Sequence, residues 1–270
     1  MFKFNENKTY LMPPWFGGLA FDPNYSYRIN DLVSITFTFT TDGNRLANYL
    51  PKGFELLTPE LTISYQQLRQ VEFLFGGSYN LISIQVPVRF HGKRDQLEGS
   101  FPLVIWENNT IPIIAGREQT GMPKIYADIQ DLHIPSHKKY FTNASFLGNT
   151  FLQLEMVQTQ PIRGQQLEQI KAGNVNQSVL GWRYIPKVGA PGAELSQPVL
   201  YPQSIHVKNA WEGKGNVQWA KLGREYTNKE VISYYNIIKQ LAELPVYNSG
   251  PAIMIQGVGF LKPYAGRVLM

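Results

Sequence analysis

The chain has 270 residues, 43% hydrophobic and 17% charged, a globular and rather charge-poor composition that can bury a sizeable core. It has no cysteine, which excludes disulfides, Cys-ligated zinc, iron–sulfur clusters and thiol catalysis. The net charge of +5 is scattered in short groups such as HGKRD (91–95) and HKKY (137–140), not gathered into the aromatic-interleaved stripe of a nucleic-acid binder; it reads as an ordinary solvated surface, compatible with attraction of a small anion, and no nucleic-acid partner is expected.

The first thirty residues read as an irregular arm. Asn5, Asn7, Pro13 and Pro14 break any apolar run there, which argues against a signal peptide. No stretch approaches the roughly 18 apolar residues of a membrane helix, so no membrane partner and a cytoplasmic location are expected. Strand-like runs rich in β-branched and aromatic residues follow at 32–40, 61–75, 79–90 and 100–106. Further runs lie at 124–134, 138–146, 150–159, 177–186, 197–211 and 251–261. Two helices interrupt them. Residues 41–51 run from a capping Thr41 or Asp42 to Pro51, with Leu46 and Leu50 one turn apart. Residues 227–245 open on a Thr227/Glu230 capping box, carry Val231, Tyr234, Tyr235, Ile238 and Leu241 on one face, and stop at Pro245. The glycines at 76–77 and in GKG (213–215) read as hairpin turns. With no internal repeat and no long linker, the expectation is one α+β domain over residues 1–270, mostly antiparallel β, with a large barrel-like or sandwich-like sheet.

Few residues carry a chemical signature. His133 and His137 have the spacing of a helical metal pair, but Pro135 lies between them and no H-E-x-x-H pattern occurs; no metal site is expected. No G-x-S-x-G elbow, phosphate loop or dinucleotide fingerprint is present, and no cofactor is implied. What remains is Lys124 in AGREQTGMPKIYADI (115–129), an ammonium group set among apolar neighbours. Its stem can lie along the surface with the head in water, the usual fate of lysine. Alternatively it is kept dry, loses its proton and becomes a nucleophile.

The segment NNTIPIIAGREQTGMPKIYADI resembles the Schiff-base lysine segment of the acetoacetate decarboxylase family: an aliphatic run, G-R-E, a spacer, then P-K. TTDGNRLANYLPKGFEL resembles the family's early helix, YIPKVG with the following AELSQPVLYPQSIHVKNAWEGKGNVQW its late A-W-x-G segment, and LAELPV (241–246) its L-x-x-L-P-V. Four blocks in the same order cover the chain from about residue 31 onwards. The resemblance implies a large β-barrel or cone with a few flanking helices, and a homo-oligomer. It also implies a lyase in which Lys124 attacks the ketone of a small β-keto acid, and the resulting iminium accepts electrons as carbon dioxide leaves. A lysine nucleophile must be neutral near pH 7, whereas free lysine titrates near about 10.4.

Within that resemblance, Glu118 of G-R-E is the candidate proton-transfer group, and Gln66, Arg117 and Tyr264 are candidate substrate contacts. The sequence also departs from the family pattern. Ile125 stands where a second lysine follows the nucleophile, leaving desolvation by Met122, Pro123 and Ile125 to activate Lys124. Thr40 takes the place of the pocket arginine, and Gln66 and Leu81 the places of two pocket glutamates. Aldol condensation or dehydration of keto acids through the same lysine, and non-catalytic binding of a small molecule, therefore stand beside decarboxylation.

Overall fold

The computed structural model describes residues 2–221 and 234–270. A two-stranded ribbon, β1 (Lys8–Thr9) with β2 (Leu19–Ala20), leads into β3 (Tyr27–Thr40). The short helix α1 (Gly43–Ala47), capped by the Asp42 carboxylate on two backbone N–H groups, is followed by β4 (Phe54–Leu56). Three long strands come next: β5 (Glu60–Val71), β6 (Gly77–His91) and β7 (Gln96–Glu107). Helix α2 (Thr110–Glu118) then gives way to β8 (Lys124–Tyr126), β9 (Asp128–Ile129) and β10 (His133–Ser136). The hairpin of β11 (Lys139–Phe146) and β12 (Asn149–Pro161) precedes helix α3 (Gly164–Asn174), β13 (Gln177–Pro186) and the 27-residue β14 (Ala193–Trp219). Helix α4 (Tyr234–Ala242), β15 (Asn248–Ser249), β16 (Ala252–Leu261) and β17 (Arg267–Val268) complete the order.

Seven strands close a ring in the order β3–β5–β6–β7–β13–β14–β16, with β16 hydrogen-bonded to both β14 and β3. The pairings are antiparallel except where β13 meets β7. Strand β14 is long enough to serve two sheets' worth of partners. Its first half pairs β13, its middle pairs β16, and its end pairs β12, which carries β11 and β10 outward. Mainly antiparallel strand with a few helices is the class the strand runs imply, and the ring with flanking helices is what the family resemblance implies.

Alternation along each strand sorts side chains onto two faces. On β3, β5, β6 and β7 one face gives Phe37, Ile63, Tyr65, Ile82, Ile84 and Trp106 to the main core, which Leu152 and Leu154 of β12 and Ile238 and Leu241 of α4 cover. The opposite face of the same strands gives Ser34, Thr36, Ser64, Gln66, Ser83 and Gln85 to a cavity inside the ring. That face is only partly apolar because it lines a chamber instead of a core.

Three local expectations need correction. Residues 213–215 do not turn: they lie within β14, where a Cβ on Gly213 would sit 2.6 Å from the Val157 carbonyl oxygen and one on Gly215 would sit 2.7 Å from the Phe37 ring. Glycine is there for close approach, not for a hairpin. The run 124–134 is not one strand but β8, β9 and β10, pairing β7, β11 and β11 respectively. Helices α2 and α3 lie where the strand count left none; α3 buries no residue, so its sequence carries little periodic signal. The Thr227/Glu230 capping box lies outside the described residues, while Tyr234, Ile238 and Leu241 of α4 are buried on one face. No helix among the described residues is long and apolar enough to cross a membrane.

Candidate active site

Lys124 opens β8, which lies parallel to β7 with Lys124 opposite Ile105. Two turns of hydrogen bonds fix its approach: the Met122 N–H donates to the Gly116 carbonyl (2.9 Å), and the Ile105 N–H donates to the Pro123 carbonyl (3.0 Å). Met122 fills the space left by Gly181, where a Cβ would come within 2.7 Å of its Cε. The lysine stem then passes under α2. A Cβ on Gly116 would stand 2.4 Å from Lys124 Cδ, so the glycine of G-R-E is a slot for the lysine side chain. The helix itself forms because Asn109 caps it, accepting from the Ile111 N–H at 3.0 Å, and Pro112 falls in the first turn where no N–H is required.

The head of Lys124 is 14% exposed and faces two acceptors. Its Nζ lies 2.9 Å from Oε1 of Glu107, whose side chain is wholly buried, and donates to the Pro112 carbonyl at 3.1 Å. Apart from this ion pair, neither Glu107 oxygen has a hydrogen-bond partner among the described residues. Burial pushes the Glu107 carboxyl above its ordinary value, with the Lys124 charge opposing the rise. Lys124 is therefore not surrounded by apolar groups alone, as its sequence neighbours suggest, because a buried carboxyl stands beside it. Asn108, the next residue, anchors this corner: it accepts from the Asn80 N–H at 2.7 Å and donates to the Ile129 carbonyl at 3.1 Å.

The pair opens onto the cavity within the ring, about 520 Å³, whose lining includes Gln66, Leu81, Glu107, Met122 and Lys124. Tyr79 and Tyr201 also line it. Burial, followed by the nearby Glu107 charge, raises both phenols well above the ordinary value, so they remain protonated at neutral pH. Neither hydroxyl is hydrogen-bonded to another described residue.

The other residues singled out in the sequence have different places. Arg117 is exposed and donates from Nη1 to the Lys124 carbonyl oxygen (3.0 Å), so it steadies the β8 backbone from outside the cavity. Glu118 does not line the cavity; its carboxylate accepts from the Met12 N–H at 3.1 Å and ties the N-terminal arm to α2. Tyr264 also lies outside, packed edge-on against Phe21 at 5.2 Å. Thr40 pairs with Asn248 at the end of β3, away from the cavity lining, whereas Gln66 and Leu81 are within it. Leu81 is the cross-strand partner of Glu107. His133 lies in β10, so the spacing to His137 does not put the two on a helix face.

The ring of mainly antiparallel strands around a chamber is a fold shared with known proteins. The family model for acetoacetate decarboxylase (ADC) matches residues 12–228, and the chain belongs to this family. Acetoacetate decarboxylase of Burkholderia vietnamiensis is 22% identical over 223 residues, covering 80% of this chain and 82% of that protein. Acetoacetate decarboxylase of Legionella pneumophila has a similar structure, with a TM-score of 0.72 at 20% identity over 94% of this chain and 92% of that one. The enduracididine biosynthesis enzyme MppR, solved with the condensation product of pyruvate and imidazole 4-carboxaldehyde, gives a TM-score of 0.69 at 13% identity over 98% and 97%.

Proposed function

We propose that the chain is a Schiff-base lyase whose nucleophile is Lys124 and whose proton-handling group is Glu107. The supporting observation is the 2.9 Å contact between Lys124 Nζ and a carboxylate with no other partner among the described residues. Proton transfer within the pair produces a neutral amine and a neutral acid without creating net charge in a buried place. The amine adds to a substrate carbonyl, and the Glu107 proton leaves with the carbinolamine hydroxyl as water, giving an iminium and a carboxylate. The iminium nitrogen then takes the electron pair of a breaking carbon–carbon bond. The resulting enamine is protonated at carbon, for which the Tyr79 and Tyr201 hydroxyls are neutral donors lining the same cavity, and water releases ketone and lysine. Arg117 is a positioning residue, acting on the Lys124 backbone.

Family membership makes a small β-keto acid losing carbon dioxide one substrate for this sequence of steps. Aldol cleavage or condensation of a carbonyl compound is a second, favoured by the likeness to MppR, which was solved with a pyruvate condensation product. Both pass through the same enamine. The test is exchange of the protons beside the carbonyl for deuterium in heavy water, followed by NMR over a panel of ketones and keto acids. Exchange that disappears in Lys124→Met supports the reading; exchange that persists in that variant removes it.

A further inference from the structure

The lining of the chamber carries information about charge. Among the described residues that line it, Lys124 and Glu107 alone are ionisable at neutral pH by type, and they are paired. The remaining polar groups are neutral. Ser34 and Thr36 come from β3, Ser64 and Gln66 from β5, Ser83 and Gln85 from β6, Ser100 from β7 and Gln203 from β14. They form a belt of hydroxyls and amides drawn from five of the seven ring strands. Thr36 and Ser64 bond to each other at 3.1 Å. The side chains of Ser34, Gln66, Ser83, Gln85 and Gln203 make no hydrogen bond to another described residue.

Each of those groups both donates and accepts, as a hydroxyl does. A ligand carboxylate entering here gives up its hydration without meeting a cation other than Lys124, which is committed to Glu107 before reaction and to the substrate carbon after it. A neutral hydroxylated ligand loses nothing comparable, and its hydroxyls meet the free belt. Size points the same way. The volume of about 520 Å³ falls in the range of roughly 300–1,000 Å³ that holds drug-sized ligands, far above what a four-carbon keto acid fills.

We infer that the substrate is a neutral, multiply hydroxylated ketone or aldehyde, larger than a four-carbon keto acid, whose carbonyl reaches Lys124 while its hydroxyls bond to the belt. The inference rests on the Schiff-base reading for its chemistry and on the lining alone for its substrate class. The bond change that suits such a molecule is aldol cleavage. The iminium draws electrons from the bond between the carbon beside the carbonyl and the hydroxylated carbon beyond it. That hydroxyl loses its proton to the Glu107 carboxylate, and an aldehyde leaves the enamine.

Matched probes separate the two parts. Dihydroxyacetone against hydroxypyruvate, 4-hydroxy-2-butanone against acetoacetate, and L-sorbose against 5-keto-D-gluconate each exchange a hydroxymethyl-type group for a carboxylate. Calorimetric titration reads binding, and borohydride reduction with peptide mapping reads the adduct on Lys124. The expected result is that the neutral members bind about tenfold or more tightly and are trapped on Lys124. In Gln66→Leu, with its melting temperature near that of the unaltered protein, their binding weakens by about three- to tenfold. Tighter or equal binding of the acids overturns the substrate class, and whether they are trapped on Lys124 then judges the lysine separately. Preference for the neutral members with no trapping keeps the class and overturns the Schiff base. Unchanged binding in Gln66→Leu overturns the role of the belt.

Discussion

Lys124 was legible because an ammonium among apolar neighbours breaks the ordinary pattern of surface lysine. Its partner was not. Glu107 directly follows the strand-like run SFPLVIW (100–106), and the parallel pairing of β7 with β8 brings it to the lysine. Such a contact depends on register between segments joined by a helix, which no local spacing encodes. Glu118 and Tyr264 lie outside the cavity for the complementary reason, since adjacency in a motif is not adjacency in space. If Glu107 holds the exchanged proton, the rate of adduct formation falls as pH drops through its titration, because a protonated Glu107 can no longer accept from the amine. Burial raises that titration, so the acid limb lies above the ordinary carboxylate value of 4.5. Glu107→Gln is expected to erase this limb and slow adduct formation by about 10²–10⁴; an unchanged pH profile would assign the proton elsewhere. Gly116→Ala drives a methyl group against the lysine stem and is expected to slow the same step by about tenfold to a hundredfold. Alanine is a better helix former than glycine, so a loss of activity with the melting temperature retained would separate this effect from misfolding.

At the scale of elements, strand identity was readable for the long runs because alternation survives even when the inner face is hydroxyl-rich. Helix α2 was hidden by its own composition. Ile111, Pro112, Ile113 and Ile114 look like a strand with a breaker, yet the Asn109 cap and a first-turn proline are compatible with a helix, and the chain has to turn from β7 to a parallel β8. The cap is accordingly worth testing. Asn109→Ala is expected to destabilise the protein by about 1 kcal/mol, a fall of about 2–4 °C in thermal melting. No change would mean that packing on β8 holds the helix without it. The GKG stretch shows the opposite error, in which glycine was taken as a turn signal but serves the crossing of β14 against β12 and β3.

For the whole molecule, the strand runs leave barrel and sandwich open and the family resemblance implies closure, but the ring order is not legible, because β16 closes onto β3 from the far end of the sequence. One tie outside the site has a clear pH dependence. Arg267 donates to both oxygens of Asp95, and the Met270 N–H donates to Oδ2, while the Arg94 and Asp95 N–H groups hold the Met270 carbonyl. The arginine hydrogen bond first, and the backbone N–H second, lower the Asp95 carboxyl from 3.8 to about 2. A lowered value in the folded state means that the stabilisation is present above pH 3.8 and is lost as pH falls towards 2. Asp95→Asn is expected to flatten the stability profile across that window, and acid denaturation curves identical to the unaltered protein would contradict it.

The most direct test of the central claim is reduction with borohydride in the presence of a carbonyl ligand, followed by mass mapping of the peptide that contains Lys124. One reduced adduct is expected, on Lys124, and its formation slows sharply in Glu107→Gln. Adducts spread over surface lysines, or one on Lys124 that forms at the same rate without Glu107, would contradict it.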